Sequence, residues 1–484
     1  MALVQTVTGS GRRQIRALTV GAVALISLTA FEALAVATVM PSVAADLGGL
    51  ALYALAFGAP LATSVVGMAL AGAWADATGA ARPLLSGLGL FCAGLLIAGF
   101  APSMDLFVLG RSVQGLGAGM LTVAIYVMVG HVVPEPLRPR VFAWFAAAWV
   151  LPAMVGPAVS GLMLHTVGWR GVFLLVPALA VPAGLVLLPA LRAPVTAAGT
   201  DFGGEDFERA RFVQARRRLL LAVGAGIGAA TLQVAGTRTQ PAWLAAVVLA
   251  LAVVAGCAHR LLPGGTFRLR RGLPAVIAVR GLIAATFVAT EAFLPLLLVR
   301  ERGWPPVLAG AVLTTGAVTW SASAWVQGRL TSFPARFRVA RLGTVLLAAG
   351  VLTCLTVALP AVPAWLVVLG WTLCGAGMGL VYSTMSLLAL HLAPPEKHGE
   401  ASSALTTGES LASAVALAVA GAAFASMLPT GIAAGAPAGP APYLAGFCVA
   451  AVAALIAVAG SGRLASGKRV PVEEPVDAPI EQGP

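Results

Sequence analysis

Long apolar stretches recur along nearly the whole chain, and they constrain its fold more than any other feature. Each is close to the roughly 20 residues that an α-helix needs to cross the hydrocarbon core of a bilayer. Of the 484 residues, 59% are hydrophobic and 10% are charged. A soluble protein of this length needs far more charge to cover its surface. The sequence therefore predicts an all-α polytopic membrane protein.

The apolar pattern predicts fourteen spanning helices, which gives an even number and places both termini on one side. The predicted spans are 17–41, 50–72, 83–101, 105–131, 141–165, 171–191, 219–236, 242–262, 275–299, 307–327, 341–360, 363–391, 400–428 and 441–461. A twelve-span alternative treats 219–262 as one re-entrant hairpin, although the long apolar run WLAAVVLALAVVAGC argues against it.

Basic residues are concentrated on the side that carries both termini. Of the thirty Lys and Arg residues, the opposite side keeps Arg170, Arg238, Arg300 and Arg302. The positive-inside rule therefore predicts cytoplasmic termini, and the wealth of Arg, Ala and Gly suggests the cytoplasmic (inner) membrane of a bacterium. The same asymmetry explains the net charge of +12 without nucleic acid, and it favours contact with anionic membrane lipids.

Polar segments divide the chain into five parts. We predict an N-terminal six-helix bundle (1–195), a cytoplasmic loop (196–218), an inserted helix pair (219–262), a C-terminal six-helix bundle (272–462) and a disordered cytoplasmic tail (463–484). Parallel six-helix repeats are a known transporter plan, with the binding site between the halves. The inserted pair carries no acid in mid-span, so we expect it to be peripheral, with Gln233 as its notable polar side chain.

Two carboxylates lie inside apolar runs at corresponding places in the two bundles. Glu32 precedes Pro41 by nine residues, and Glu291 precedes Arg300 by nine residues. Each carboxylate is therefore about 13 Å from the outer end of its helix. Because charges in hydrocarbon are costly, we expect both to face a shared polar cavity. Glu409 is a third candidate, for which a solvated position in the cavity mouth is an equal alternative.

Arg111 is expected to neutralise Glu32, because the two residues lie within one helical turn of the same depth. A permanent salt bridge that only fixes the first helix against the fourth is the structural alternative. Glu291 has no obvious cationic partner, since Arg280 and Arg300 lie near the two ends of its helix. Desolvation favours the neutral form of a carboxylic acid, so Glu291 is the better candidate for a proton carrier.

Several motifs follow one another in a fixed order along the first five spans. FEALAVATVMP contains Glu32, GAWADATGAARP contains Asp76 and Arg82, RSVQGLGAG contains Arg111, Gln114 and Gly115, and VGPAVSG contains Gly156, Pro157 and Gly161. Together with GWRGVFLLVP and GAGMGLVYSTMS, they resemble the major facilitator superfamily, specifically its fourteen-helix drug:proton antiporter branch. The resemblance implies the major facilitator fold, with two six-helix bundles plus two inserted helices.

The resemblance implies roles in gating and conformational change for Asp76, Arg82, Gln114, Gly115, Gly156, Pro157 and Gly161. Ala77, Ala80 and Ala81 stand where the family usually has basic residues, and Pro152 stands where an earlier glycine is usual. A bend at Gly156 and Pro157 lets the fifth helix pack closely. Packing alone explains that bend, and the small residue Gly115, equally well.

The resemblance implies a secondary active transporter that exports amphiphilic or cationic drugs in exchange for protons, by alternating access. Glu32, Glu291, Glu409 and Arg111 are the candidates for binding protons or substrate. Export of an endogenous metabolite or lipid is the main alternative, and a receptor of the same fold is a lesser one. An ATP-driven pump is disfavoured, because the sequence has no G-x-x-x-x-G-K-[ST] loop. We expect no cofactor, no metal and no catalytic residue.

Overall fold

The computed structural model of the chain describes residues 9–191, 205–236, 241–330, 332–394, 397–429 and 436–465. These residues form fourteen α-helices and no strand, so the predicted all-α fold is confirmed. Most of the predicted tail (463–484) and the first part of the predicted loop (196–204) lie outside the described residues.

The helices form two sets of six with a pair between them. The N-terminal bundle consists of α1 (Gly9–Asp46), α2 (Tyr53–Thr78), α3 (Ala81–Gly99), α4 (Met104–Val132), α5 (Arg138–Thr166) and α6 (Gly168–Leu191). The inserted pair consists of α7 (Glu205–Gly236) and α8 (Pro241–Leu261). The C-terminal bundle consists of α9 (Leu273–Leu296), α10 (Pro306–Gly328), α11 (Phe333–Thr356), α12 (Leu366–Leu392), α13 (His398–Ser426) and α14 (Pro440–Ser461).

In the described part of the chain, twelve helices, α1 to α6 and α9 to α14, are long and apolar enough to cross a membrane by length and composition. The apolar stretches of α7 and α8 are shorter, at Leu219–Ala235 and Ala245–Leu261. Helix α7 begins at Glu205, inside the segment predicted as a loop. The reason is that the sequence contains neither Gly nor Pro from there to Gly224, so nothing interrupts the helix before its apolar stretch.

Small residues decide how closely α4 packs against its neighbours. A β-carbon added at Gly115 would lie 2.3 Å from the Cα atom of Pro60 in α2. Beside this contact, the hydroxyl of Thr63 in α2 donates a hydrogen bond of 2.8 Å to the carbonyl of Ser112 in α4. The two backbones therefore touch, as small residues permit in membrane helices.

The C-terminal bundle repeats this contact between α10 and α12. A β-carbon added at Gly375 would lie 2.1 Å from the carbonyl oxygen of Gly316. The hydroxyl of Thr319 donates a hydrogen bond of 3.1 Å to the carbonyl of Thr372. The residue whose carbonyl accepts the hydrogen bond precedes the glycine by three positions in both bundles, as Ser112 precedes Gly115 and Thr372 precedes Gly375. The same local geometry therefore occurs twice.

The two bundles meet on the side opposite the termini, which we call the closed side. The side where α1 begins and α14 ends is called the termini side. On the closed side the rings of Tyr53 in α2 and Phe293 in α9 have centroids 6.2 Å apart. A β-carbon added at Gly310 in α10 would lie 3.2 Å from the carbonyl oxygen of Pro157 in α5. These contacts close the space between the bundles at this end.

Helix α7 lies at the seam between the bundles, packed against α2 and α13, while α8 packs mainly on α7. Gln233 is buried, and its amide donates a hydrogen bond of 3.3 Å to the carbonyl of Ala414 in α13. A β-carbon added at Gly58 in α2 would overlap this same amide. The predicted peripheral placement of the pair needs one correction, because Leu219 of α7 and Arg260 of α8 line the central cavity. The early start of α7 adds Arg216 to the same wall, on the termini side of the seam.

Candidate functional site

A cavity of about 2870 Å³ lies between the two bundles and reaches the termini side. Both bundles, α7 and the end of α8 contribute to its wall. Five of the predicted ionisable site residues line it, namely Glu32, Asp76, Arg111, Glu291 and Glu409. The structure thus brings together the candidates for binding protons or substrate.

Glu32 and Arg111 form an ion pair within the N-terminal bundle, as the sequence predicted. Arg111 Nη1 donates to Glu32 Oε1 and also to Gln114 Oε1. Gln114 Nε2 donates to Glu32 Oε2 at 2.8 Å, and Arg111 Nε donates to the carbonyl of Ala56 at 3.3 Å. Both carboxylate oxygens are therefore bound, and each side chain of the ion pair is only 5% exposed. The burial of two charges is tolerable here because they are paired and hydrogen-bonded.

Glu291 lies on α9 in a different environment. Within the described part of the chain, its carboxylate makes no hydrogen bond and no ion pair, although it lines the cavity. The neighbouring hydroxyl of Thr290 donates instead to the backbone carbonyl of Thr286 at 2.8 Å. Glu291 is thus an uncompensated carboxylate in the middle of a helix that is otherwise apolar around it.

Glu409 on α13 has a partner that the sequence analysis did not assign to it. Arg280 on α9 donates from Nε to Glu409 Oε2 at 2.9 Å, and its Nη2 lies at the same distance from this oxygen. The hydroxyl of Tyr382 on α12 donates to Glu409 Oε1 at 2.9 Å. Glu409 is therefore paired, and its side chain keeps 24% exposure to the cavity.

Aromatic rings form a continuous wall of the cavity beside Glu291. The centroids of Phe287 and Trp371 are 4.7 Å apart, those of Phe287 and Trp320 are 5.2 Å apart, and those of Trp320 and Tyr382 are 5.3 Å apart. The indole of Trp371 donates to a backbone carbonyl. The Trp320 indole has no such bond within the described residues and remains available to a ligand.

The motif residues occupy three different places. Gln114 belongs to the Glu32 network, and Gly115 packs α4 against α2. Asp76 and Arg82 are exposed at the connection between α2 and α3, and neither makes an ion pair or side-chain hydrogen bond to a described residue. No charge relay is therefore present between them in this structure.

Gly156, Pro157 and Gly161 lie on α5, which packs against α1 within its own bundle and faces α10 across the seam. A β-carbon added at Gly161 would lie 3.3 Å from the Cα atom of Val307 in α10, while one at Gly156 would meet Phe31 of α1 at 3.6 Å. This motif therefore forms part of the contact between the two bundles on the closed side.

Sequence reasoning missed the wall formed by Phe287 and Trp320 and the partnership of Arg280 with Glu409. One signal could have found part of it. Arg280, Ala284, Phe287 and Glu291 are spaced at i, i+4, i+7 and i+11, so they share one face of α9. All four line the cavity.

A helical membrane protein with two bundles around a charged central cavity has the architecture of a secondary transporter. The family model of the Major Facilitator Superfamily matches residues 20–417. The chain therefore belongs to the major facilitator superfamily, whose members are membrane transporters and not enzymes.

Among its relatives, a probable multidrug-efflux transporter of Mycobacterium tuberculosis (strain H37Rv) is 27% identical over 413 residues, covering 83% of this chain and 85% of that protein. The multidrug transporter protein MdtP of Bacillus subtilis is 29% identical over 164 residues, covering 34% of this chain and 30% of that protein. The crystal structure of a D-xylose–proton symporter aligns with a TM-score of 0.61 at 16% identity, over 92% of this chain and 97% of that one. At this identity the structural likeness supports the fold alone.

Proposed function

We propose that the protein is a proton-coupled exporter of amphiphilic or cationic small molecules. It works by alternating access in the cytoplasmic membrane of a bacterium, with both termini in the cytoplasm. Two relatives that span most of the chain are named probable multidrug-efflux transporters, which supports export as the direction. The cavity opens on the side that is rich in basic residues, which the positive-inside rule favours as cytoplasmic.

The observation that carries the proposal is the uncompensated carboxylate of Glu291. Glu32 and Glu409 each have an arginine partner, whereas Glu291 has none among the described residues. A lone carboxylate at membrane depth is costly, and either a proton or a positively charged ligand removes that cost. Because the two compete for one negative charge, entry of a proton from outside displaces the cation and drives its export.

The other parts of the site have complementary roles in this proposal. The neutral network of Glu32, Arg111 and Gln114 holds α1 against α4, so the N-terminal bundle moves as one body. The contact between α5 and α10, where Gly161 lies, is the seam that must open when the cavity changes sides. Asp76 and Arg82 lie at the opposite end, where the bundles must approach each other in that second state.

The test is transport by purified protein in liposomes with an imposed pH gradient, using cationic dyes, neutral amphiphiles and extracted lipids. We expect Glu291→Gln to lower gradient-driven export of a cationic dye by at least about tenfold, because it removes the charge for which proton and cation compete. Neutral amphiphiles should still bind to the variant. Asp105→Asn serves as the control, since it removes an exposed carboxylate from the first turn of α4 on the closed side.

Two outcomes would contradict parts of the proposal. Full substrate-induced proton movement in Glu291→Gln would exclude Glu291 as the carrier and leave Glu32 or Glu409 as the candidate. Transport of extracted lipids without any cationic dye would instead favour export of an endogenous compound.

A further inference from the structure

The ion pair of Arg280 and Glu409 is more exposed to the cavity than the ion pair of Glu32 and Arg111. Both members of the Glu32–Arg111 pair are 5% exposed, whereas Arg280 is 8% exposed and Glu409 is 24% exposed. The arginine is thus enclosed while its carboxylate partner reaches the cavity. A ligand that enters from the termini side can approach this pair.

Arg280 is fixed in place without help from Glu409. Its guanidinium lies 3.3 Å from the centroid of the Tyr382 ring, a cation–π contact. Its Nη1 donates to the carbonyl of Tyr382 at 2.8 Å and to the hydroxyl of Ser386 at 3.0 Å. Helix α12 therefore holds the arginine, and the remaining edge of the guanidinium points at the carboxylate.

That remaining edge is the one that recognises carboxylates. Nε and Nη2 of Arg280 both lie 2.9 Å from the single oxygen Oε2 of Glu409. This edge of a guanidinium can bind the two oxygens of a carboxylate side by side, but Glu409 uses only one oxygen there. Its second oxygen is engaged by the Tyr382 hydroxyl. Glu409 therefore leaves the bidentate capacity of Arg280 partly unused.

Arg280 also lies in line with the other binding elements of the cavity. Glu291 follows it by eleven residues on the same face of α9, so the two are about 16 Å apart along the helix axis. Phe287 stands between them, with Trp320 packed against it at 5.2 Å. Along this wall the carboxylate of Glu291, the aromatic surface of Phe287 and Trp320, and the guanidinium of Arg280 follow one another in space.

We propose that Arg280 is a binding site for a carboxylate of the ligand, and that this carboxylate replaces Glu409 on the guanidinium. Glu409 then turns into the cavity, to which it is already partly exposed. The inference rests on the proposed function, because it treats the cavity as a substrate site. It extends the substrate class from cations to zwitterionic amphiphiles, whose cationic end lies at Glu291 and whose aromatic body lies on Phe287 and Trp320.

The test uses two fluorescent probes that differ in one group. Rhodamine B is a zwitterion near neutral pH, and its ethyl ester has the same cationic ring system without the carboxylate. Binding to the full-length protein is followed by fluorescence anisotropy in lipid discs of phosphatidylcholine alone, so that no anionic headgroup occupies Arg280. The variants are Glu409→Gln, Arg280→Gln and Tyr382→Phe, with Asp105→Asn as the matched loss of one exposed carboxylate.

We expect Glu409→Gln to tighten rhodamine B binding by about five- to tenfold, since it removes the competing carboxylate, and to change ester binding by less than about twofold. Arg280→Gln should weaken rhodamine B by at least about tenfold with little effect on the ester. Tyr382→Phe keeps the ring beneath Arg280 but removes the hydroxyl that donates a hydrogen bond to Glu409. Glu409 is then held less firmly beside Arg280 and is displaced more easily, so a smaller gain for rhodamine B is expected. This variant keeps the test decisive if Glu409→Gln does not fold.

A pair that only braces α9 against α13 gives the opposite result. In that case Glu409→Gln and Tyr382→Phe would weaken both probes equally or leave both unchanged, and the inference would be wrong. Failure of every form of the protein to bind rhodamine B would also overturn it. If the variants change the affinity for rhodamine B and not that for its ester, as expected, but no dye is exported in liposomes, the proposed function fails while the carboxylate site stands. If cationic dyes are exported but the variants change the affinities for both probes equally, the carboxylate site is wrong and the proposed function stands.

Discussion

The two six-helix bundles share a scaffold but place their charges differently. Gly115 in α4 and Gly375 in α12 each meet the backbone of the neighbouring helix at a distance that admits no β-carbon. The residue four positions before each glycine is Arg111 in α4 and Trp371 in α12. The equivalent position therefore carries a cation in one bundle and an aromatic ring in the other.

This difference explains why Glu32 and Glu291 have unequal environments. Glu32 has a buried arginine partner from α4. In the C-terminal bundle, Trp371 packs on Phe287 with a centroid distance of 4.7 Å and supplies no positive charge. The repeat thus preserves the contacts that pack helices, while the side chains that face the cavity have diverged. Among the described residues, this asymmetry leaves Glu291 without the arginine partner that Glu32 has, which is the condition that the proposed exchange of a proton for a cation requires.

The largest effect is expected when the N-terminal bundle loses its cation. Arg111→Ala leaves Glu32 buried without a partner, which should lower the free energy of unfolding by about 3–5 kcal/mol. The measurement is the thermal unfolding midpoint of purified protein, together with the yield of monodisperse protein from size-exclusion chromatography. Glu32→Gln added to Arg111→Ala should restore part of the loss, because it removes the unpaired charge.

The matched variant in the other bundle is Glu291→Gln. The carboxylate of Glu291 has no ion-pair partner among the described residues, so its removal leaves no other charge unpaired. We expect the unfolding midpoint of this variant to equal or exceed that of the unchanged protein. Additive losses in the Arg111 and Glu32 double variant would show that the two residues are not coupled. A loss of stability in Glu291→Gln as large as that in Arg111→Ala would contradict the contrast between the bundles.

A smaller effect, similar in both bundles, is expected at the shared glycines. Gly115→Ala and Gly375→Ala each place a methyl group against backbone atoms of the next helix, at 2.3 Å and 2.1 Å. Overpacking of this kind should cost about 1–3 kcal/mol in each case. Gly89→Ala is the control, because a β-carbon there would meet nothing within 4 Å. If only one of the two glycines proves sensitive, the bundles do not share the scaffold that their geometry indicates.

Much of the fold could be predicted from the sequence, because the membrane imposes a length and a hydropathy on every helix. The Glu32–Arg111 pair was also predictable, since both residues lie deep in apolar runs and their depths follow from the helical rise. The start of α7 was not, because its first turns are polar and look like a loop by hydropathy alone. The helix propensity of these polar residues, which hydropathy does not measure, predicts the early start of α7.

The Arg280–Glu409 pair shows a different limit. The depth of a residue along its helix axis can be counted from the sequence, but the rotation of each helix about its axis and the helices it packs against cannot. Arg280 was assigned to the end of its helix, although the structure places it against α12 and α13. Likewise, the aromatic wall combines Phe287 of α9 with Trp320 of α10, and only tertiary packing brings these residues together.

The smallest expected effect concerns the seam between the bundles. Gly161→Ala brings a methyl group to 3.2 Å from Val307 Cγ2 and 3.3 Å from Val307 Cα, both in the opposite bundle. Under the proposed alternating access this contact is lost when the closed side opens, so the methyl group should disfavour the closed state by less than about 1 kcal/mol. Gly156→Ala is the matched control, because its β-carbon meets only atoms of α1, at the ordinary distances of 3.6 Å and 3.8 Å.

Distances between spin labels at Ser103 and Ala361, which are exposed at the closed side of the two bundles, measure this shift in a background without the native cysteines. We expect Gly161→Ala to increase the population with a long distance between the labels, and Gly156→Ala to leave it unchanged. Since the change is a shift between two states, the unfolding midpoint should move little. An unchanged distance distribution in Gly161→Ala would mean that the α5–α10 contact does not hold the closed side shut, and that the glycine motif serves packing within one state only.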